Sequence, residues 1–536
     1  MKRFNLLLLL QLIVLIAFGQ NKLSGIVSGN GENLAGASVV LENSYYGIST
    51  LGNGSFKFNN LKNGDYKVKV SFIGFNTKIV GVTLNSDKQI SIDLEPNVIM
   101  PDEIMIAATR AKDKTPMAYN NMSGDEIAQR NMGQDIPYLL QLTPSFVATS
   151  DAGAGIGYSS FRIRGTDMNR INVSVNGIPI NDAESHGTWF VDLPDLASSL
   201  ENVQVQRGVG TSTNGAAAFG ATINLQTNTL NENPYGEYKT AFGTFNTFKN
   251  TVSAGTGLLN GKFSVDARLS KVTSNGYIDR AESDLKSLFV SAGYYTENTI
   301  LKVNIFSGFE ETYQAWNGIS SEILKTNRTY NSAGEYTDEN DKVQYYENQV
   351  DHYQQDNYRL HFSQKLNQNW NLNLSAHYTY GRGYYENHKE DEDLADYQIS
   401  NIIVGSELIE TTDLVNRKWL NNNFYGLIYS LNYNKNRSDF LLGGGFSIYD
   451  GDHYGNVIWA QFLGDTKPNY EWYNNNGLKK DYNIYAKYNY QITEKINRFI
   501  DLQFRKIDYS INGIDDDLRD LEQSYDFNFF NPKFGV

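Results

Sequence analysis

The chain has 536 residues, a formal net charge of −14, no Cys, 36 Tyr and 28 Phe. Without Cys there is no disulfide framework and no thiolate metal site, and without a basic stripe to neutralise phosphates the acidic balance argues against nucleic acid as a partner. A mean hydropathy of −0.46 suits a soluble secreted protein and a transmembrane β-barrel alike, because barrel strands are apolar on one face only.

At the N-terminus, Lys2 and Arg3 precede an apolar run over 6–18 broken only by Gln11, and Ala17 and Gly19 are small residues ahead of Gln20. That order of charge, apolar core and small end reads as a secretory signal peptide over 1–19. The run falls short of the ~20 residues a membrane-crossing helix needs. Residues 22–96 read as a small all-β domain with strands at 22–27, 38–42, 55–58, 66–72 and 89–94. Gly52, Asn53 and Gly54, and later Asn63 and Gly64, supply hairpin turn chemistry between them. Tyr66, Val68, Val70 and Phe72 alternate with Lys67, Lys69 and Ser71, which gives one buried and one wet face. The pattern of Gly25, Val27, Leu34, Ala37, Gly54, Phe56, Leu61, Gly64, Tyr66, Gly74 and Phe75 is similar to carboxypeptidase regulatory-like domains. That resemblance implies a seven-stranded sandwich with no catalytic site of its own, and no zinc-binding His/Glu spacing follows it.

Residues 97–110 read as a linker. Pro101 bars a central strand, yet 103–107 is short, apolar and extended in propensity, and such a segment can add a strand to a partner's exposed sheet edge. An ordinary interdomain strand is the plain alternative. Residues 111–227 mix an apparent helix at 123–131 with short strands and carry three motifs in order. The first is Phe161, Arg162, Ile163, Arg164 and Gly165. The second runs from Asn176 and Gly177 through Ile178, Pro179 and Ile180 to Asn181 and Asp182. The third opens at Glu201, reaches Arg207 and Gly208, crosses a turn rich in Gly and Ala, and ends at Gln226.

In order and spacing these motifs resemble the plug domain of TonB-dependent outer-membrane transporters, and a regulatory-like domain ahead of a plug resembles the Bacteroidetes type. Under that resemblance Asp102, Glu103, Ile104, Met105, Ile106 and Ala107 are similar to the TonB box. Arg162 and Arg164, which leave one face of a strand, would pair with carboxylates on a barrel wall; a solvent-exposed face is the plain alternative. Gly165, Gly177 and Gly208 suit tight turns.

Residues 228–536 change character. Phe263, Val265, Ala267 and Leu269 fall on one face and Lys262, Ser264, Asp266 and Arg268 on the other; 371–380 alternates likewise, as does 482–490 apart from Tyr485. A polar face repeated on strand after strand suits a wet lumen and the apolar face suits lipid, whereas a soluble sandwich would leave those apolar faces in water. The fold class expected is therefore mainly β: an N-terminal β-sandwich, a mixed α/β plug and a partial transmembrane antiparallel β-barrel. Taking 310–354, 382–421 and 449–481 as outer loops leaves room for about twelve strands, fewer than the family's full barrel. The chain is thus expected to be C-terminally truncated, with its first and last strands, near 236–245 and 527–536, unpaired; bare edges are not tolerated in hydrocarbon.

Enzyme signatures are absent: no Walker loop, G-x-S-x-G, H-E-x-x-H or G-x-G-x-x-G spacing occurs, so neither catalysis nor a cofactor is expected. The acidic runs 390–393 and 515–517 lack the spacing of a Ca²⁺ loop and read as solvated loops. Five of the six His are scattered surface candidates; His186, with Trp189, lies in a segment that points toward the ligand in plugs. Tyr384 with Tyr385 and Trp472 with Tyr473 are aromatic pairs in expected outer loops, suited equally to an aryl siderophore, a haem or a sugar. The resemblance as a whole implies an outer-membrane receptor with its N-terminal domain in the periplasm and TonB, membrane lipid and an extracellular small molecule as partners. Its cargo would be an iron complex such as a ferric siderophore, with cobalamin or a glycan as rivals and a passive adhesin or porin-like barrel as the other class. One expectation is testable directly: mass spectrometry of outer-membrane preparations should find Gln20 as the mature N-terminus, and an intact 6–18 segment would rule out cleavage there.

Overall fold

The structure is a computed structural model that describes residues 21–95, 110–111, 117–210, 218–227, 230–493 and 496–536, apart from 30, 35, 43, 45, 73 and 74. The expected signal peptide over 1–19 and the segment 102–107 expected to resemble a TonB box lie outside the described residues. The chain divides into two compact units, Met1–Met100 and Pro101–Val536.

Among its described residues the first unit holds eight strands: β1 (Asn21–Gly29), β2 (Glu32–Asn33), β3 (Ser38–Leu41), β4 (Gly47–Ser49), β5 (Ser55–Leu61), β6 (Gly64–Phe72), β7 (Phe75–Leu84) and β8 (Lys88–Leu94). One sheet has the order β2-β1-β5, with β8 parallel to β1, and the other β4-β3-β6-β7. Alternation drives both. Phe56 and Phe58 of β5 and Val68 and Val70 of β6 join Leu23, Leu41 and Leu94 in one core while Lys57, Lys67 and Lys69 stay exposed. Gly25 sits where a Cβ would lie 2.4 Å from the Ile90 carbonyl oxygen, so the β1–β8 pairing requires glycine there. β7 is not among the expected strands, although Val80, Val82 and Leu84 alternate with Gly81 and Thr83 and turn toward the core.

The plug-like domain opens the second unit. Its strands are β9 (Ala118–Ser123), β10 (Phe146–Ser150), β11 (Ser159–Ile163), β12 (Thr166–Asp167), β13 (Ile171–Val175), β14 (Ile178–Pro179), β15 (Leu200–Arg207) and β16 (Ala221–Thr227). A mixed sheet runs β14-β13-β16-β15-β9, with β13 parallel to β16, beside a small sheet β10-β11-β12. The expected helix is Gly124–Arg130. Ser123 caps it and Glu126 closes a reciprocal capping box, which satisfies two otherwise unpaired backbone donors. β16 is buried along its whole length: Ile223 and Leu225 join the apolar core with Val173, Val205 and Phe161, while Asn224 accepts from Ser174 at 2.8 Å and Gln226 from Asn202 at 2.6 Å. These two amides are matched by neighbours, as burial demands, whereas the Thr222 hydroxyl on the same face is buried without a partner among the described residues.

The remaining strands form a wall: β17 (Tyr235–Gly243), β18 (Thr247–Gly255), β19 (Phe263–Ser274), β20 (Ser283–Tyr295) and β21 (Thr299–Tyr313), then, after the short loop hairpin β22 (Glu335–Thr337) and β23 (Val343–Tyr345), β24 (Val350–Lys365) and β25 (Trp370–Asp393). A second loop hairpin, β26 (Ile402–Val404) and β27 (Glu407–Ile409), precedes β28 (Thr411–Lys435), β29 (Ser438–Ala460), β30 (Tyr470–Gln491), β31 (Asn497–Gly513) and β32 (Gln523–Gly535). Twelve of these make one antiparallel sheet from β17 to β32. Among the described residues β17 pairs only with β18 and β32 only with β31.

Side chains on the wall have the opposite polarity to a soluble sheet. Asn357, Arg359, His361 and Ser363 of β24 are buried on the inner face, while Tyr358 and Leu360 between them are exposed outward. Inward polar and outward apolar is the pattern of a sheet in lipid. The outward apolar band ends at Asp356, Arg382, Asn421 and Asp452, where Arg382 pairs with Asp356 at 2.8 Å. Beyond it an outward aromatic row crosses five strands. Phe309, His352, Tyr384, Trp419 and Tyr454 have successive centroid separations of 5.0, 5.1, 4.6 and 5.8 Å. At the other end stand Phe263 with Tyr294 at 4.9 Å and Trp370 with Tyr433 at 4.8 Å. Two aromatic belts bounding an apolar band mark the two interfaces of a membrane.

Two of the expected outer loops prove to be mainly strand. β25 has 24 residues and β28 has 25, against the roughly 10 that suffice to cross hydrocarbon. Their outer halves stand clear of lipid, carry no apolar face, and so escape a reading based on alternation. Depth along the band is testable. Leu427→Arg, on the outward face near mid-band, should destabilise the protein by roughly 2–4 kcal/mol and Asn423→Arg, at its edge, by less than about 1 kcal/mol, measured by urea unfolding in lipid vesicles.

Candidate functional site

Two of the contacts between the plug-like domain and the wall differ sharply in chemistry. The first is a buried ionic seat. Asp195, at φ +51°, has a fully buried side chain that pairs with Lys249 of β18 at 2.6 Å and Arg268 of β19 at 3.3 Å. Its carboxylate also accepts from Ser270 at 2.6 Å, Thr251 at 2.8 Å, Ser198 at 2.6 Å and Asn131 at 3.0 Å. Burial alone would raise the Asp195 carboxyl, yet Arg268 and Lys249 outweigh it and hold the group well below the usual range. A buried charge is tolerable only when paired and hydrogen-bonded to this extent. Nearby, a Cβ on Gly308 would lie 2.0 Å from the Asp192 carbonyl oxygen, so the two backbones abut.

The second contact lies at the outer apex. Asn176 (φ +52°) and Gly177 (φ +80°) make the turn between β13 and β14, and Asn176 donates to Thr227 Oγ1 at 2.8 Å. This turn feeds a loop over 180–189 that folds on itself. Asp182 Oδ1 accepts the backbone N–H of Glu184 at 3.1 Å and of Ser185 at 2.6 Å, and Asn181 donates to the His186 carbonyl at 2.9 Å. From the loop Glu184 reaches the wall, where it accepts from the Tyr449 and Tyr509 hydroxyls at 2.9 and 3.0 Å and meets His453 Nε2 at 3.0 Å. Burial would raise Glu184, but His453 and the two tyrosines leave it below its ordinary value. Lys479 donates to the Ala183 carbonyl and stands 3.0 Å from His186 Nε2; burial and then Lys479 push the His186 imidazole down.

A cavity of about 550 Å³ opens between this loop and the inner wall. Tyr158 lines it, edge-to-face with Trp189 and Trp316 at 5.8 Å each, and Trp316 meets Tyr385 at 6.0 Å. Asn181, Gln355, Asn357 and Asn422 add amides, and Asp151, Asp182, Glu184, Asp192 and Asp351 add carboxyls. With its aromatic walls and few convergent polar groups, this is a ligand-sized site. A smaller cavity of about 220 Å³ lies on the loop's other side, lined in part by His186, Lys479 and Arg505.

The residues expected from sequence scatter. Trp189 lines the larger cavity and His186 the smaller. Arg162 is exposed on β11 and Arg164 exposed in the turn that follows it, at φ +52°; neither pairs with a wall carboxylate among the described residues, and Arg164 instead reaches the Arg207 carbonyl at 3.4 Å. The expected wall pairing is corrected: the ion pairs that seat this domain have the acid on the domain and the bases on the wall. Arg207 donates to the Pro144 carbonyl at 3.4 Å, and Glu201 is exposed on β15 near Arg110. Gly165 (φ +78°) and Gly208 (φ +117°) occupy turns. Trp472 and Tyr473 do not face a ligand; they are buried with Leu394, Tyr397 and Leu414 in a small core beneath the outer loops. Asp515, Asp516 and Asp517 converge but are already engaged by Arg519 and Lys418. Asp192, Asp195, Tyr158, Trp316 and Asp351 escape sequence reading, since they sit in no motif and their partners are remote in the chain.

Residues 111–222 match the sequence model of the TonB-dependent receptor plug domain, and residues 23–106 that of the CarboxypepD_reg-like domain. No curated protein matches by sequence. Among solved structures, the chain is similar to the ferric yersiniabactin uptake receptor FyuA from Yersinia pestis at 12% identity and TM-score 0.55, covering 80% of this chain and 62% of that one. It is similar to the ferric citrate transporter FecA in its unliganded form at 12% and 0.57, covering 77% and 59%. It is also similar to the ferric-catecholate import receptor Fiu from E. coli K12 at 14% and 0.57, covering 81% and 64%. At such identities the likeness is one of fold, and this chain spans less than two thirds of each of those chains.

The ionic seat is open to direct test. Asp195→Ala strands Lys249 and Arg268 without a partner and should cost about 3–5 kcal/mol, measured by equilibrium denaturation. Because the folded-state carboxyl is depressed, its contribution is full above the unfolded value of about 3.9 and is lost only as pH falls below about 4. Asp195 should therefore leave stability flat between pH 5 and 8.

Proposed function

From a chain that carries a carboxypeptidase regulatory-like domain and a TonB-dependent receptor plug domain, and whose wall has the fold of those receptors, we propose a TonB-dependent receptor of the outer membrane that imports an extracellular solute. The observation that carries the reading is a plug domain seated on the polar inner face of an outward-apolar sheet, with a ligand-sized cavity at their outer junction. These receptors are transporters and not enzymes, and the cavity is asked only to bind.

Ligand enters from outside and contacts the 180–189 loop. Glu184 is partly exposed and held by hydroxyls and an imidazole, so its contacts exchange at low cost; those of the dry seat at Asp195 do not. Loop movement is passed down β13 and β14 to the periplasmic side, where Asp102, Glu103, Ile104, Met105, Ile106 and Ala107 recruit TonB by strand addition. Force from the inner membrane then reworks the plug, with the N-terminal domain in the periplasm. An iron complex such as a ferric siderophore is the cargo this reading favours, since the similar receptors are named for ferric ligands; cobalamin and glycans come second. A passive adhesin or porin-like barrel has no use for a domain fastened across its inner face.

Ile104→Pro removes a backbone donor and blocks strand addition. Cells carrying it should bind cargo as the parent does but fail to import it, scored by growth under iron limitation against growth on single glycans. Import at the parent's level would reduce 102–107 to a linker.

A further inference from the structure

Three carboxyl groups meet between the plug apex and the wall with no counter-ion. Asp192 comes from the plug and is 9% exposed; Glu310 of β21 and Asp351 of β24 are 0% and 9% exposed. Register places the two wall acids on neighbouring inward positions, since Asp351 pairs with Thr312 and Glu310 with Tyr353. The Tyr158 hydroxyl donates to Asp351 Oδ2 at 2.6 Å. Both Glu310 oxygens are buried without a hydrogen-bond partner among the described residues; the hydroxyls of Thr312 and Tyr158 approach without closing one. Among the described residues, no Lys or Arg pairs with any of the three. Burial, and then Asp351, Asp182 and Asp135, push the Asp192 carboxyl well above its ordinary range.

The contrast with Asp195 is instructive, because the same fold surrounds that buried acid with two cations and four hydrogen bonds. Around Asp192 the balancing charge is missing on the side that opens to the 550 Å³ cavity. The basic groups of its lining are already engaged, Lys418 by Asp516 and His453 by Glu184. Trp189 and Trp316, 36% and 41% exposed, offer ring area beside the acids. Aromatic faces attract a cation through their quadrupole, and a carboxylate forms its strongest hydrogen bonds with ammonium or guanidinium donors.

We propose that this cavity takes a ligand bearing an ammonium or guanidinium group, held by Asp192 and Asp351 with Glu310 behind them and packed against Trp189 and Trp316. The inference rests on reading the cavity as the ligand site. It narrows the cargo: an iron complex with a positively charged arm fits, an anionic chelate is disfavoured, and a neutral sugar brings no cationic donor for the carboxyls.

The test uses the full chain in detergent, with tryptophan fluorescence and calorimetry as readouts and spermidine, triarginine, ferric citrate and maltohexaose as probes. Spermidine or triarginine should bind with an affinity that falls as salt rises, and ferric citrate and maltohexaose should not compete. Asp192→Asn with Asp351→Asn should weaken cation binding at least tenfold and Glu310→Gln alone by less, while Asp517→Asn, which leaves Arg519 on Asp515, should leave it unchanged. These isosteric changes remove repulsion, so the variants should fold, which thermal melting verifies. No binding of either cation, binding untouched by the acid variants, or saturation by ferric citrate or maltohexaose in place of the cations would each overturn the proposal. The assay needs no TonB, so a failure of the import reading leaves its outcome intact.

Discussion

Everything in the second unit depends on the wall being built with its polar side inward. Twelve strands that point Asn, Ser, Arg and His away from lipid create a concave polar surface, and buried polar groups are costly unless matched. The plug domain supplies the match. Arg359 donates to the Val175 carbonyl at 2.8 Å, Arg268 to Ser199 at 2.7 Å and Lys249 to Asp195 at 2.6 Å. Plug and wall are therefore one folding problem, in which neither surface is satisfied without the other.

The contacts differ in kind along that interface, and the difference has functional weight. At Asp195 two cations and four neutral donors close around a carboxylate with no exposure, an arrangement that loses several kcal/mol if any partner leaves. At Glu184 the partners are tyrosine hydroxyls and an imidazole, with the carboxylate still about a fifth exposed, so water can replace them one at a time. A ligand with modest binding energy is able to move the second contact and not the first. The fold thus places a loose contact beside the cavity and a firm one at the seat, with the acids that lack a counter-ion at the loose end.

The N-terminal sandwich obeys simpler rules. Its lysines alternate with Phe56, Phe58, Val68 and Val70, one core forms between two sheets, and Gly25 permits the one parallel pairing. Nothing in it needs lipid or a second domain to bury its apolar face.

How much of this was legible from sequence follows from the range of each interaction. Local pattern determined the strands of the wall, because one residue's face is set by its neighbour's, and it gave the helix at Gly124–Arg130, because a capping box closes within four residues. The plug motifs were readable too, since Asn176, Gly177, Gly165 and Gly208 answer to backbone conformations fixed on the spot. Alternation failed where strands leave lipid, as in the outer halves of β25 and β28. It also put Trp472 in a binding loop when Leu394 and Leu414, far off in sequence, bury it. Arg162 and Arg164 looked like the charges that hold the domain in place, yet only the tertiary structure decided that Asp195 does so. A carboxylate's partners at Lys249, Thr251, Arg268 and Ser270 are brought together by strand register and plug seating, and no local pattern encodes either. The same is true of Asp192, Glu310 and Asp351: each is an unremarked acid in the sequence, and only folding makes them neighbours without a counter-ion.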